Sequence, residues 1–470
     1  MTLATPYLWV FFPILMAVLS GIFHKRELLS ILLASLSSFA LALLAAFFPE
    51  DLTLEIGPLV LEFNETMTIL GRQLSVVYEI FPFIALIYGM TGLWALSSGF
   101  PNTPVTFRPI SLVITALFTA AMGVEPFLYA ALLIQTAVLA SIPILSQPGK
   151  LSDKGVLRFL TLETLAMPLI LLAGWLLSGV ETLPTESPLI PQISVVLGLG
   201  FAIWLCVFPF HSWVPMVSRH SAPNVFAYLM FIAPTTILVF SLNFIDRYAF
   251  LRSLPNLEQT LRFFGTWMIV FGGLWAAFQD NLKRVFGFLV LLETGVSLLA
   301  ISSFQNGGLN WMMMLIPARA LGFWLVGFAL TALENRNGEL DLDAIKGVAR
   351  RYPFLSSGVL IGLLSIAGLP LLASFPIKSI LLSTTFAAST MLGTWSFIGN
   401  IGLFLSTLRI LAAMITPDEE HLSEKWKIME KPLEYVPILI LTVILIILGL
   451  FPHVFLEWIT ATLTTFTQLQ

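Results

Sequence analysis

The chain is poor in charge. Aspartate, glutamate, lysine and arginine make up 11% of its 470 residues, against about 25% in a typical soluble domain. That deficit leaves no stretch able to form a water-solvated domain of its own. Cysteine is represented by Cys206 alone, which excludes a disulfide framework. The five histidines, at 24, 211, 220, 421 and 453, are too scattered for metal or haem ligation. Gly198-Leu-Gly200 lacks a third glycine and a preceding strand, so it is no dinucleotide loop. Neither a cofactor nor a metal is expected on this polypeptide alone, and no nucleic-acid partner is expected.

What the chain has is apolar length: 57% hydrophobic residues and a mean hydropathy of +0.93. A helix crosses the hydrocarbon core of a bilayer with about 20 apolar residues. About fourteen runs of that kind follow one another, with cores at 7–23, 28–48, 74–97, 107–124, 126–146, 156–178, 192–210, 223–245, 262–279, 284–304, 309–332, 354–386, 392–415 and 434–456. The run at 354–386 is broken near 370–376. Met1 to Val10 carries no positive charge, and His24-Lys25-Arg26 follows the first run, so that run reads as a span and not as a cleavable signal. Of the 23 lysines and arginines, 16 fall on one set of alternate loops, 4 on the other and 3 (Arg319, Lys378 and Arg409) within runs. By the positive-inside rule the first set of loops is cytoplasmic. With an even number of spans, both termini are expected outside.

Four stretches carry a resemblance. Phe201 to Pro215 ends an apolar run with Pro209-Phe-His211 and exits through Trp213-Val-Pro215, followed by Ser221-Ala-Pro223. Asp280-Asn-Leu-Lys283-Arg284 opens the tenth run, and Asp341 to Gly347 leads into Arg350-Arg351-Tyr-Pro353. Leu364 to Lys378 contains Ala367-Gly368-Leu-Pro370 and Phe375-Pro-Ile-Lys378. In this order and at this spacing, these stretches resemble the antiporter-like family, the proton-pumping membrane subunits of respiratory complex I (NADH:quinone oxidoreductase) and of Mrp-type Na+/H+ antiporters. The resemblance covers roughly residues 105 to 415 and marks the chain as a divergent member.

The resemblance implies an all-α membrane protein with about fourteen transmembrane helices and two inverted five-helix repeats, each containing a broken helix. The domain division that follows is 1–104 (helices 1–3), 105–415 (antiporter-like core, with repeats at about 107–246 and 262–415) and 416–470 (a cytoplasmic loop and the last helix). Pro209 and Pro376 supply a local reason for the breaks, since proline removes a helix hydrogen bond and frees a carbonyl. Such breaks commonly build ion sites in transporters.

In the family, the first half carries protons on a glutamate and two further basic residues. Alignment places Gln135, Trp204 and Pro234 at those three positions, so all three carriers are missing. Glu163, inside the sixth run, is the candidate replacement; the alternative is a side chain that snorkels or pairs with Arg158. His211 reads either as a titrating group or as a structural interfacial residue. In the second half Lys378 aligns with a family lysine. A lysine at bilayer depth costs roughly 2.5–3.5 kcal/mol on insertion scales. Its two readings are a proton or cation site and a cap on carbonyls freed at Pro376. Glu293 lies in the tenth run. Arg319, which cannot usefully release a proton, reads as a fixed counter-charge, either to Glu293 or to an incoming proton.

Two functional readings follow. One is a subunit that moves protons or Na+ through Glu293, Lys378 and neighbouring polar groups; the other is a degenerate scaffold of the same membrane arm that moves no ions. A stand-alone transporter of another solute is the third. The polypeptide is not catalytic by itself, and its expected partners are other membrane subunits and the lipid of a prokaryotic inner membrane. Reporter fusions near Asp153 should read cytoplasmic and those near Glu186 external; the reverse pattern would invert the orientation.

Overall fold

The computed structural model describes residues 2–49, 53–56, 59–69, 71–100, 102–146, 154–177, 189–254, 256–416, 428–454 and 456–469. Helices dominate. The chain opens with strand β1 (Thr2–Ala4), helix α1 (Phe12–Ile22) and helix α2 (Glu27–Ala46). Strands β2 (Thr53–Ile56), β3 (Leu59–Asn64), β4 (Thr66–Ile69) and β5 (Arg72–Ser75) follow, then α3 (Phe81–Leu96), α4 (Phe107–Gly123) and β6 (Val124–Glu125). The first half continues with α5 (Ala130–Leu145), α6 (Lys154–Leu177), α7 (Leu189–Trp204), α8 (Val214–His220), α9 (Pro223–Arg247) and the single turn α10 (Ala249–Arg252). The second half comprises α11 (Leu257–Ala277), α12 (Leu282–Ile301), α13 (Gly308–Asn337), α14 (Pro353–Ala367), α15 (Phe375–Ala388), α16 (Thr390–Ile415), α17 (Pro432–Leu450) and α18 (Leu456–Thr460). Among the described residues, nine helices are long and apolar enough to cross a membrane, and five shorter apolar helices accompany them.

The strands are an addition to the all-helical expectation. β1 pairs in parallel with β3, which pairs antiparallel with β2. A second small sheet runs in the order β4-β5-β6, all antiparallel. The segment between α2 and α3 falls mostly between two apolar runs in sequence, yet its alternation around Gly57-Pro58 and Gly71 is a hairpin signal in its own right.

Two interrupted helices appear where the prolines suggest, with one refinement. After α7 the chain turns through Cys206, whose φ is 55°, before Pro209 precedes a short helical turn at Phe210–Trp213. In the second half the interruption lies before Pro376. Gly368 ends α14 with φ 82°, a left-handed conformation open to glycine at no steric cost, and Leu371 follows with φ 76°. Pro376 sits in the first turn of α15, where its missing N–H would be unpaired anyway.

The two halves meet along their most buried helices. α9 packs on α13, and α12 packs on α8; the backbone N–H of Asn224 donates to Thr331 Oγ1 at 2.9 Å across that seam. Two of the stretches that carry the sequence resemblance also meet. Leu282 N donates to Leu340 O at 3.0 Å and Leu342 N to Asp280 O at 2.7 Å. Asn281 caps α12, its Oδ1 accepting from Lys283 N and Arg284 N at 3.0 and 3.2 Å.

Helix α11 is wedged between α12 and α16. A Cβ on Gly273 would stand 1.8 Å from the carbonyl oxygen of Gly399. Small residues permit such approach between membrane helices, where packing replaces the hydrophobic effect as the driving force. Gly273→Val should therefore sharply lower the thermal midpoint and membrane abundance of the protein. Gly198→Ala should not, because an added Cβ there meets nothing within 4 Å. Equal behaviour of the two variants in detergent-solubilised melts would refute the wedge.

Candidate functional site

Three buried charges of the second half, Glu293, Arg319 and Lys378, meet at one point. Helix α12 is almost wholly buried, and Glu293 in its middle is 2% exposed. A carboxylate there needs paired and hydrogen-bonded partners. Arg319 of α13, 4% exposed, donates from Nε to Glu293 Oε2 at 3.0 Å and from Nη2 to the Glu293 carbonyl at 3.1 Å. The same Nη2 donates to Ser297 Oγ at 2.5 Å. From the other side Lys378 of α15 donates from Nζ to Glu293 Oε1 at 2.5 Å. Lys378 also donates to the carbonyl oxygen of Ile366, in the last turn of α14. Lys378 thus pairs with a buried carboxylate and caps the end of α14; the carbonyl it caps is that of Ile366 and not one freed at Pro376.

One carboxylate therefore sits between two cations. Of the two, Arg319 is engaged through both Nε and Nη2. It holds Glu293 as the neutralised half of a pair, and Lys378 is the charge in excess.

The first half brings together a different set. Trp204, Pro234 and Glu163, read separately in the sequence, line one cavity with Cys206, Trp213 and Phe118. Glu163 is 3% exposed, and no hydrogen bond or ion pair reaches it among the described residues. Arg158, its candidate partner, instead directs Nη1 to the sulfur of Met216 at 3.5 Å. Gln135 donates from Nε2 to Thr164 Oγ1 at 2.9 Å, and its Oε1 has no partner among the described residues.

His211 joins neither group. Its ring stacks on Phe208 with centroids 5.4 Å apart and meets the edge of Phe271 on α11 at 4.4 Å. This aromatic seating at the seam between halves favours the structural reading. No group of three or more His, Cys, Asp or Glu is placed to hold a metal among the described residues.

Sequence reasoning placed Lys283 in a cytoplasmic loop; in the structure its Nζ meets Glu334 Oε1 of α13 at 2.8 Å and its side chain is 7% exposed. Ser297 was also missed, although it lies one helical turn from Glu293, within reach of anything that binds there. At the edge of the helices Glu430 Oε1 accepts from Leu355 N at 2.8 Å, and burial pushes its carboxyl above the usual range.

With this geometry established, similarity to known proteins is informative. Residues 177–406 match the family described as NADH:quinone oxidoreductase/Mrp antiporter, transmembrane. NADH-quinone oxidoreductase subunit N of Psychrobacter arcticus is 27% identical over 283 residues, covering 58% of this chain and 56% of that protein. The chain spans about half the length of the curated relatives it matches. A chain in the structure of the Mrp complex from Dietzia sp. superposes with a TM-score of 0.78 at 16% identity, over 98% of this chain and 97% of that one. A chain of respiratory complex I from Thermus thermophilus with bound NADH gives 0.74 at 19% identity, over 97% and 99% respectively. These likenesses show an antiporter-like fold.

Breaking one side of a buried ion pair costs about 3–5 kcal/mol, because the remaining charge is left uncompensated. Glu293→Leu should therefore destabilise the protein most, since it strands both Arg319 and Lys378. Glu293→Leu combined with Arg319→Met should recover part of the loss in thermal midpoint. Simple addition of the two single losses would show that the pair is not coupled.

Proposed function

We propose that this chain, which carries the transmembrane domain of the NADH:quinone oxidoreductase/Mrp antiporter family, works as a membrane subunit of a complex I-like or Mrp-like assembly. Its contribution to ion movement runs through Lys378 in the second half. The observation that carries this reading is the placement of Lys378 against a carboxylate already neutralised by Arg319.

A lysine at bilayer depth is expensive to keep charged, and lysine shifts its protonation readily where arginine does not. When Lys378 gives up its proton, Glu293 and Arg319 remain a compensated pair and no lone carboxylate is stranded. When the proton returns, the ammonium is received by Glu293 Oε1 and the Ile366 carbonyl. Both carboxylate oxygens are occupied by cationic side chains, which leaves little ligand capacity for Na+ and favours the proton as the ion carried.

The same proposal includes fourteen spans arranged as two inverted repeats, about 107–246 and 262–415, with both termini outside. Support comes from the two interrupted helices and from a non-glycine residue at positive φ in each interruption. Partners are then the other membrane subunits of the assembly, and the location is a bacterial inner membrane. The scaffold reading has its own support in the closed hydrogen bonding around Glu293 and in Gln135, Trp204 and Pro234 at the first half's carrier positions.

Lys378→Met and Lys378→Arg separate these readings in vesicles holding complexes matched for subunit content. A conducting second half predicts that both variants impair proton movement per turnover, since arginine stays charged. A capping role alone predicts that Arg substitutes well and that Met lowers only the amount of assembled complex. Normal translocation with Met at 378 would remove the proposal.

A further inference from the structure

We infer that Glu163, the cavity beside the α7 interruption and one water molecule form a second proton-binding site, in the half of the chain that has lost the family's carriers. This goes beyond the Lys378 reading and does not rest on it. The cavity measures about 10 Å³ at the centres of water-sized spheres, close to the minimum for one water. Its walls come from α4, α5, α6, the end of α7, the segment after it and α9. A water also needs two to four polar partners. Glu163 supplies a carboxyl that no other described residue engages. Trp204 and Trp213, each 1% exposed, supply indole N–H groups without partners among the described residues.

The chemistry of those partners selects the ligand. Indole nitrogen is a donor only, so two tryptophans lining one cavity with a carboxyl offer donors to a water oxygen or a carboxylate and no ligand to a metal cation. No basic side chain lines the cavity, so a carboxylate formed there has only neutral donors to stabilise it. Loading forms an O–H bond on a Glu163 oxygen as hydronium reverts to water; unloading breaks that bond and returns the proton to water. No electrons change hands.

Depth fits a carrier. Glu163 lies nine positions into α6 from Lys154, about 14 Å along the helix axis, near the middle of a hydrocarbon core about 30 Å thick. Pro168 on the same helix withholds the N–H that the Thr164 carbonyl would otherwise accept, which adds an acceptor one residue from Glu163.

The test uses infrared spectroscopy of the purified complex in H2O and D2O. The expected result is a neutral-carboxyl C=O band that is absent in Glu163→Gln and shifts on transfer to D2O. Ala233→Val narrows the cavity wall and should slow that shift roughly tenfold by displacing the water, with subunit content unchanged. Three outcomes would overturn the inference: a band that survives Glu163→Gln, a Glu163 band that never shifts in D2O, or an exchange rate indifferent to Ala233→Val. The same measurement in Lys378→Met keeps this question separate, because the Glu163 band should be unaffected there.

Discussion

Glu293 ties four segments of the second half together through one carboxylate and one backbone carbonyl. Arg319 reaches it from α13, Lys378 from α15, and Lys378 carries the connection on to the end of α14 through Ile366. Without water in the surroundings, each of these polar groups has to be satisfied by another. The interruption between α14 and α15 is therefore sustained by the ion pairs. A helix end that would leave a carbonyl orphaned in the bilayer instead finds an ammonium, and the ammonium finds its counter-ion on α12. Charge and backbone are solved by the same side chain.

The first half uses the same backbone device with different chemistry. The chain after α7 turns through a non-glycine residue at positive φ, as it does after α14. What fills the space is aromatic: Trp204 at the end of α7, Trp213 beyond the turn, and Phe159 against Trp213 with centroids 4.7 Å apart. Among the described residues no cation receives its carboxylate, so Glu163 stands alone where Glu293 stands paired. The asymmetry follows from residue type, because a tryptophan offers bulk and one neutral donor where a lysine offers a movable charge.

The fold and the second-half site were legible for one reason. In a chain with 11% charged residues, a charge inside an apolar run has very few candidate partners, so Glu293, Arg319 and Lys378 point to one another. Periodicity and length located the helices and the break near 370–376, but Pro376, read as its cause, begins α15 and does not itself break a helix. Less was legible where the signal is three-dimensional. The pairing of Lys283 with Glu334 joins positions 51 apart on different helices, and charges flanking a span look like loop charges until the helices are packed. The cavity that unites Glu163, Trp204 and Pro234 had no sequence counterpart, because a void is set by the shapes of side chains from six segments. The small sheets are faint in sequence because their strands are two to six residues long and lie mostly between apolar runs.

The tie between α12 and α13 explains why the Asp280-Asn-Leu-Lys283-Arg284 stretch matters to a site it never touches. Asn281 caps α12 and fixes where that helix begins, which sets the depth of Glu293 twelve residues on, about 18 Å along the axis. Lys283 then meets Glu334 at one end of the same helix pair, and Glu293 meets Arg319 near its middle. A single contact between two helices leaves each free to rotate about its own axis. Two ion pairs at different depths remove that freedom, and rotation by one residue position, about 100°, would carry Glu293 away from both of its cations. The Asp341 loop locks the same end through its backbone pairing with residues 280–282. Motifs at the membrane edge therefore act as the register marks of a charge buried in its interior.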